Sequence, residues 1–332
     1  MEEKNSPPFH LTNEMMMLVS QISEKAQNIQ TYFRFDSLPR LRHANSIRSI
    51  HSSLAMEANS LTLEQVKDVI DGKTVLGPQE EIQEVLNAYE AYRSLPELDP
   101  YSLDDLKKTH GIMTRYRIRE SGSFRRGEEG VFDGDKCIFM APPAERVPQL
   151  MEELFSWRKE NKNTVHPLIL SSVFHYEFVF IHPFSDGNGR TARLWQTLLL
   201  SKWHRLFQYI PLESRIQDFQ SDYYDAIAKC NSSRNSDLFI LFMLHRIDEI
   251  LDKTKGELKE NSELREPEKK LLSQMESGVS YKAQELMEKV GLKSLKSFRE
   301  HYLKPALEDN LIEMTIPDKP NSKNQRYRLR EK

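Results

Sequence analysis

The segment from Leu168 to Arg193 constrains the fold of this chain more than any other stretch. Residues 168–181 are mostly apolar with little polar face, which predicts a buried helix. Pro183 lacks an amide hydrogen and disfavours helical geometry at the residue before it, so we expect this helix to end at His182. Helical periodicity resumes from about Asn188. The segment therefore predicts two core helices joined by a short polar loop.

The loop between these helices carries residues suited to phosphate chemistry. Gly187 and Gly189 allow a tight turn and a close approach of the backbone to a ligand. The loop also lies at a helix N-terminus, where free amides and the helix dipole favour an anion. Arg190 and Arg193 lie in the first turn of that helix, three residues apart, so both can face the same ligand. Asp186 adds a hard oxygen ligand of the kind that holds Mg²⁺ beside a polyphosphate.

His182 completes this set with a group that can accept a proton from a hydroxyl near neutral pH. Each residue also has a plain structural explanation, because a histidine at a helix end is often structural and Gly-Asn-Gly is common in turns. Together, however, the residues fill every fixed position of one long signature.

Residues 182–193 resemble the HPFx(D/E)GNGRxxR motif of the Fic family. Members of this family mostly transfer AMP from ATP to a hydroxyl side chain of a target protein. The resemblance implies a helical Fic core, ATP as the co-substrate, His182 as the general base and Asp186 as the Mg²⁺ ligand. It also implies a set of nucleotide-binding residues in the anion hole and at the outer phosphates: Gly187, Asn188, Gly189, Arg190 and Arg193.

A second motif precedes this core. Ser53 and Glu57 match the serine and glutamate of the family's inhibitory (S/T)xxxE(G/N) motif, whereas Ala58 stands where the motif has Gly or Asn. Taken alone, Glu57 would be an ordinary carboxylate at a helix end. The resemblance implies an inhibitory helix in which Glu57 pairs with Arg193 and holds it away from the γ-phosphate of ATP.

The remaining upstream segments are interpreted as scaffold or surface. Helical spacing predicts helices over residues 11–33, 79–95 and 103–113, the last capped by Ser102. The charged segment from Arg34 to Arg48 is interpreted as a solvated or internally paired surface.

Residues 122–143 predict a β-hairpin with an Asp133-Gly134 turn. By itself this would be a surface hairpin. In Fic enzymes, however, a hairpin that follows a G-x-(F/Y)-R segment, like Gly122 to Arg125 here, forms a flap over the active site. The resemblance implies that the flap, residues 131–140, holds an extended segment of the target protein by strand addition.

A helix predicted near residues 214–231 resembles the family's adenine pocket. Tyr223, Tyr224 and Asn231 have the spacing of that pocket, in which an aromatic ring contacts the base and an asparagine hydrogen-bonds. Packing at a helix interface explains Tyr223 equally well. Tyr224 and Asn231 are therefore the predicted nucleotide-binding residues of this helix.

The C-terminal part of the chain differs in composition and predicts a separate unit. Charged residues crowd between Asp252 and Lys270, and beyond them three short helices and a hairpin predict a winged helix-turn-helix, a unit often appended to Fic cores. Basic residues near its third helix favour DNA as the binding partner, but acidic residues interrupt this basic surface. Pro305 is expected to end the third helix. DNA and protein are therefore equally supported as partners.

Length and composition set only the broad organisation. The 332 residues, 38% hydrophobic, predict a mainly α protein with two or more structural units. Together with the resemblance, this implies an N-terminal helical region carrying the inhibitory helix (1–100), a Fic core (101–255), a linker (256–265) and a winged-helix domain (266–332). The net charge of −3 argues against a chain-wide nucleic-acid or membrane surface. Without a signal peptide, a membrane span or a cysteine framework, the expectation is a cytoplasmic protein. A homodimer is compatible with these features.

The sequence therefore predicts a protein adenylyltransferase that Glu57 inhibits. Two alternatives stay open. Glu57 could orient a water molecule that removes AMP from a modified target, or the chain could be a DNA-binding transcriptional regulator whose core only senses ATP. Intact His182 speaks against a pure sensor, which does not need a general base.

Overall fold

The computed structural model describes most of the chain, in seven stretches: residues 6–32, 39–133, 136–263, 265–276, 278–309, 311–320 and 322–330. The fold is mainly helical with two small antiparallel sheets, which confirms the predicted fold class. The chain divides into two compact units, Met1–Thr254 and Lys255–Lys332. Among the described helices, none combines the length and apolar character that crossing a bilayer requires.

The first unit contains eleven of the described α-helices, the last of which continues past Thr254, and one hairpin. Its elements run in chain order: α1 Asn13–Tyr32, α2 Pro39–Ala55, α3 Leu63–Ile70, α4 Gln79–Arg93, α5 Leu103–Met113, β1 Gly130–Asp133, β2 Lys136–Met140, α6 Val147–Asn161, α7 Pro167–Ile181, α8 Asn188–Trp203, α9 Leu212–Asp218, α10 Gln220–Ser233 and α11 Asp237–Glu263.

Helices α7 and α8 pack against each other and form the centre of this unit, as the sequence predicts. Most apolar residues of α7 are buried, and so are nearly all residues of α8, including Trp195. The His166 side chain caps α7 by accepting a hydrogen bond from the Leu168 amide, with Pro167 in the first turn. The helix ends where His182 adopts a left-handed conformation with φ 50°. Gly187, with φ 77°, then starts α8.

Helix α2 buries neutral residues of the segment whose charges are interpreted as a solvated or internally paired surface; residues 34–38 of that segment lie outside the described residues. From Pro39 the chain is helical, and Asn45 and Ser49 are buried. The Asn45 side chain donates to the Tyr209 carbonyl at 2.8 Å, and the Ser49 hydroxyl donates to Glu213 at 2.7 Å. Because much of the buried face is polar, hydrophobic periodicity does not reveal this helix.

The chain leaves α2 through a turn that places Ala58 in the left-handed region, with φ 64°. The Asn59 amide donates to the Leu54 carbonyl and the Ala58 amide to the Ala55 carbonyl, which is the hydrogen-bond pattern of a Schellman motif. That motif favours glycine or asparagine where Ala58 stands, because a Cβ atom is strained at positive φ. The departure from the (S/T)xxxE(G/N) pattern therefore falls on the one residue of this turn that carries strain.

The hairpin has the predicted position. Its antiparallel register pairs Gly130 with Met140 and Asp133 with Lys136, with an irregularity after Val131. The predicted Asp133-Gly134 turn falls partly on residues 134 and 135, which lie outside the described residues.

The second unit has its own apolar core, which includes Leu271, Leu286, Phe298 and Tyr327. Its elements are α12 Glu266–Leu272, α13 Ala283–Lys289, α14 Leu295–Phe298, a π-helical turn Arg299–Leu303, α15 Lys304–Glu308, β3 Ile312–Met314 and β4 Tyr327–Leu329. Strands β3 and β4 pair antiparallel.

The expectation that Pro305 ends the third helix of this unit is wrong. The chain stays helical through Pro305 to Glu308. The π turn before it widens the helix, with the Lys304 amide bonded to the Arg299 carbonyl. This widening accommodates a proline ring that would clash with the preceding turn of a regular α-helix.

Replacing Ala58 by glycine should stabilise the protein by about 1 kcal/mol, because glycine adopts positive φ without strain. The free energy of unfolding, from urea denaturation, measures the change. Ala44→Gly in the interior of α2 is the matched control and should destabilise by about 0.5–1 kcal/mol. A loss of stability in Ala58→Gly would contradict the assigned strain.

Candidate active site

The loop between α7 and α8 is closed by its own side chains. Asn188 accepts from the Phe184 amide at 2.9 Å and donates to the Phe184 carbonyl at 2.6 Å. The N-cap residue of α8 is Gly187, which has no side chain to bond the first amides of the helix. These amides are the groups that attract an anion at a helix N-terminus. Because both polar groups of the Asn188 side chain are bonded to Phe184, only the backbone amide of Asn188 is available to a ligand.

His182 stands at the entrance to this loop, half-buried. Its pKa is lowered by burial and by nearby Arg125, although a hydrogen bond between the ring and the Val179 carbonyl acts in the opposite direction. The ring is therefore neutral at pH 7. One ring nitrogen donates to Val179, which leaves the other as a proton acceptor.

Asp186 and Arg190 are paired within the loop. Nη2 of Arg190 lies 2.9 Å from both carboxylate oxygens of Asp186, and the Gly187 amide donates to Oδ1 at 2.6 Å. Burial raises the pKa of Asp186, but Arg190 and the Gly187 amide outweigh it and hold the pKa below its usual value. The carboxylate is 38% exposed, so it can still reach a ligand.

Arg193, unlike Arg190, is bound by residues at and just beyond the end of α2. Its Nε donates to the Ser53 hydroxyl at 3.0 Å, and Nη2 donates to the Ser53 carbonyl and to Glu57 Oε1, both at 2.8 Å. Arg193 is 1% exposed, whereas the Glu57 side chain is 33% exposed. The structure thus brings Ser53, Glu57 and Arg193 together. The two arginines, expected to face one ligand, are bound to different carboxylates.

Glu57 also occupies space in front of α8. A Cβ atom placed on Gly189 would lie 2.3 Å from Glu57 Oε1 and 3.0 Å from Nη1 of Arg193. The carboxylate therefore lies directly against the first turn of the helix, and a side chain at position 189 would displace it.

Sequence reasoning missed His110 on α5, which fixes the loop from behind. The imidazole stacks on Phe184 with ring centroids 3.6 Å apart. The Gly122 amide donates to Nδ1 at 3.0 Å, so Nε2 carries the proton and donates to the Asp186 carbonyl at 2.8 Å. Burial lowers the pKa of His110 to about 4. No local pattern marks this residue, because its role depends on contacts between distant segments.

Arg125 was noted only as part of the segment before the hairpin. It is 3% exposed, and its Nε donates to the His182 carbonyl at 2.7 Å. Its Nη1 donates to the Gly127 carbonyl before β1, and its Nη2 to the Pro142 carbonyl after β2. One side chain therefore ties the catalytic loop to both ends of the hairpin.

The residues predicted for the adenine pocket lie on α10, where Tyr223 is close to Arg193 and Tyr224 faces the turn that follows α2. Tyr223 is 2% exposed and hydrogen-bonds His175 at 3.0 Å, which favours core packing. Tyr224 is 47% exposed, with its hydroxyl 3.5 Å from the Met56 carbonyl. Asn231 accepts from the Tyr176 hydroxyl at 3.0 Å. Among the described contacts, neither Tyr224 nor Asn231 touches the catalytic loop.

Asn231 also lines a cavity of about 350 Å³ beside the end of α7. Tyr176, Glu177 and Phe180 line the same cavity. Burial raises the pKa of Glu177 to about 7. The cavity thus offers an amide, a phenol and a carboxyl group within apolar walls.

Protonation of His110 should destabilise the fold in acid. Its unfolded-state pKa is the ordinary 6.5, so the stability that depends on the neutral ring is complete above pH 6.5 and is lost as pH falls toward 4. We expect the free energy of unfolding to fall by about 1 kcal/mol per pH unit in this window. Burial lowers the pKa of His175 to about 3, so protonation of His175 also lowers the free energy of unfolding in acid.

Urea unfolding at several pH values between 7 and 4.5 measures this slope. His110→Gln should flatten it, whereas His245→Gln at the surface should leave it unchanged. An unaltered slope in His110→Gln would show that His110 does not titrate as assigned.

The chain is similar to known proteins of one family. Residues 100–200 match the Fic/DOC family, and residues 266–330 match the Filamentation induced by cAMP protein Fic-like, C-terminal domain. The protein adenylyltransferase Fic of Nematostella vectensis is 27% identical over 259 residues, which cover 73% of this chain and 56% of that protein. The protein adenylyltransferase fic-1 of Caenorhabditis elegans is 27% identical over 236 residues, which cover 65% and 45%. The chain spans about half the length of these curated relatives.

Solved structures extend the likeness to the whole chain. Fic-1 from Caenorhabditis elegans is 22% identical, with a TM-score of 0.64 over 74% of this chain and 73% of that chain. At this identity the likeness supports the fold alone. A Fic family protein from Desulfovibrio desulfuricans G20 is 42% identical with a TM-score of 0.74, over 98% of this chain and 99% of that chain. With a relative this similar over nearly its full length, and with the intact motif at residues 182–193, the chain belongs to the Fic family.

Proposed function

We propose that this protein transfers AMP from ATP to a hydroxyl side chain of a target protein, and that Glu57 restrains the reaction. The observation that carries the proposal is a neutral His182 beside the open N-terminus of α8, with Arg190 and Arg193 in its first turns. This arrangement supplies a base next to an anion-binding site. Relatives named protein adenylyltransferase support the same activity.

In the proposed reaction His182 takes the proton from the target hydroxyl as its oxygen attacks the α-phosphorus of ATP. The bond between the α-phosphorus and the bridging oxygen to the β-phosphate breaks, and pyrophosphate leaves. Arg190, Arg193 and the first amides of α8 stabilise the negative charge of the outer phosphates. Tyr224 and Asn231 hold the adenine in this proposal, with the Asn231 cavity as the adjoining space.

Asp186 is the proposed Mg²⁺ ligand. Its carboxylate is ionised and partly exposed, which fits the hard oxygen donor that Mg²⁺ requires. The described residues contain no cluster of three or more potential ligand side chains, but Mg²⁺ is usually bound by one or two carboxylates together with substrate phosphates. When bound, the ion would neutralise phosphate charge.

The hairpin is the proposed docking strand for the target. Within residues 131–140, the described parts of β1 and β2 pair as a two-stranded sheet, so strand addition at an edge needs no rearrangement of a larger sheet. Arg125 supports this proposal because it links both ends of the hairpin to the carbonyl of His182.

Restraint by Glu57 follows from charge and space. The carboxylate neutralises Arg193 and lies against Gly189, in the region where the outer phosphates would bind. The same partly exposed position favours a second activity, in which Glu57 orients a water molecule that attacks the α-phosphorus of an AMP-modified target. That reaction would release AMP and the free hydroxyl.

Intact mass after incubation with ATP and Mg²⁺ tests the transfer. Glu57→Gly should gain one AMP mass, and the wild type little, because Arg193 and the space before α8 become available. Adding His182→Ala to Glu57→Gly should slow the gain by at least about a hundredfold, because the base is lost. Glu64→Gly, which removes an exposed carboxylate from α3, is the control and should behave like the wild type. If Glu57→Gly gains no mass and labels no protein in a lysate, the transferase proposal is wrong.

The second unit is proposed to be a winged helix that selects the target protein. Charge pairing within the unit favours protein over DNA, because some of its cations are bound to acids: Arg265 to Glu268 and Asp309, Lys304 to Glu308, and Arg328 to Glu313. A DNA-binding face would keep such cations for phosphates.

A Glu57→Gly chain that ends at Arg265 should keep its self-modification and lose or exchange its lysate targets. Mass spectrometry of labelled lysate proteins compares it with the full-length Glu57→Gly protein. An unchanged target set would argue against docking. Salt-sensitive binding of the full-length protein to duplex DNA would favour the regulator alternative instead.

A further inference from the structure

Glu84 on α4 is a buried carboxylate that touches the catalytic motif. Its side chain is 6% exposed, and Oε1 lies 2.8 Å from Nη1 of Arg190, whose side chain is 2% exposed. Two further donors hold the carboxylate: Nδ2 of Asn59 at 2.8 Å and Nη1 of Arg117 at 3.2 Å. A carboxylate with three partners on separate segments is fixed in position.

The Arg190 guanidinium is divided between two acids. Nη1 faces buried Glu84, and Nη2 faces the more exposed Asp186. If Asp186 turns to bind Mg²⁺, Nη2 becomes available to a phosphate, and Glu84 still holds Nη1. An arginine this deeply buried needs such a partner, because removing one member of a buried ion pair leaves an uncompensated charge.

We infer that Glu84 is a positioning residue that holds Arg190 in place for the outer phosphates of ATP. This inference rests on the proposed transferase function. Glu84 acts through Arg190, since its low exposure places it behind the guanidinium rather than in the ligand space.

Glu84 and Glu57 therefore have opposite effects although both are carboxylates bound to motif arginines. Glu57 lies in front of α8, against Gly189, and competes with phosphate for Arg193. Glu84 leaves one edge of Arg190 for phosphate. Removal of Glu57 should strengthen ATP binding, and removal of Glu84 should weaken it.

Calorimetric titration of full-length Glu57→Gly with ATP, ADP and AMP, each with Mg²⁺, tests the inference. Adding Glu84→Gln should weaken binding of ATP and ADP by about tenfold, the effect of a lost charge-assisted contact. AMP, which lacks the outer phosphates, should bind unchanged. Glu80→Gln, on the same helix with a side chain 89% exposed, is the matched control and should change none of the three.

A double-mutant cycle with Arg190→Gln separates positioning from general damage. If Glu84 acts through Arg190, then Glu84→Gln has no further effect once Arg190 is replaced. Additive effects, equal losses for all three nucleotides, or no loss in Glu84→Gln would each overturn the inference. Should Glu84→Gln fail to fold, Glu84→Asp keeps the charge but shortens the reach to Nη1, and a smaller loss for ATP and ADP alone is expected.

The proposed function fails in a different way. If Glu57→Gly itself neither binds ATP nor transfers AMP, the transferase proposal falls and the inference about Glu84 falls with it. If Glu57→Gly does both and Glu84→Gln changes nothing, the inference about Glu84 fails alone.

Discussion

The first turns of α8 carry two arginines into the core, and much of the surrounding structure follows from the partners they need. Arg190 and Arg193 are 2% and 1% exposed. A buried guanidinium is tolerated only with carboxylate and hydrogen-bond partners close by. Those partners come from α2 and α4, which precede the matched Fic/DOC segment at residues 100–200. The N-terminal helices are therefore part of the site, because without them Arg193 would lose Ser53 and Glu57, and Arg190 would keep Asp186 as its only carboxylate partner among the described residues.

The catalytic loop depends on distant contacts in the same way. His182 adopts a left-handed conformation, and its carbonyl is held by Arg125, 57 residues earlier in the chain. The Asp186 carbonyl accepts a hydrogen bond from His110, whose imidazole stacks on the ring of Phe184 in the same loop. Arg125 and His110, which lie outside the motif, thus add to the hydrogen bonds that the loop makes within itself. A loop fixed from outside keeps its donors in place before a ligand arrives, which is what electrostatic stabilisation of phosphate requires.

The parts of this fold that were predictable from sequence are those with a local signal. Helices α7 and α8 follow from an apolar run, a proline and two glycines, and α5 from its Ser102 cap. Helix α2 was missed because its buried face includes Asn45 and Ser49 rather than apolar residues alone.

Tertiary contacts explain the remaining gaps. Glu84 was interpreted as scaffold because one glutamate on a helix carries no local sign that an arginine 106 residues away will meet it. Pro305 was misjudged because a π turn, which has no clear sequence signature, accommodates it. The resemblance to a family identifies the motif residues, whereas their partners can be identified only from the tertiary contacts.

The difference in exposure between Glu57 and Arg193 decides which side of the proposed inhibitory contact can move. Arg193 is fully enclosed and bonded to Ser53, whereas one third of the Glu57 side chain faces solvent at the end of α2. Release of inhibition therefore requires the carboxylate to leave. The strained Ala58 that follows Glu57 makes this helix end less stable than a glycine would. The bond from Asn59 to Glu84 opposes its departure. Beyond its Schellman hydrogen bonds, the helix end is held by the bond from Asn59 to Glu84 and by the contact of Glu57 with Arg193, and a target or a partner that relieves the proposed restraint must break the latter.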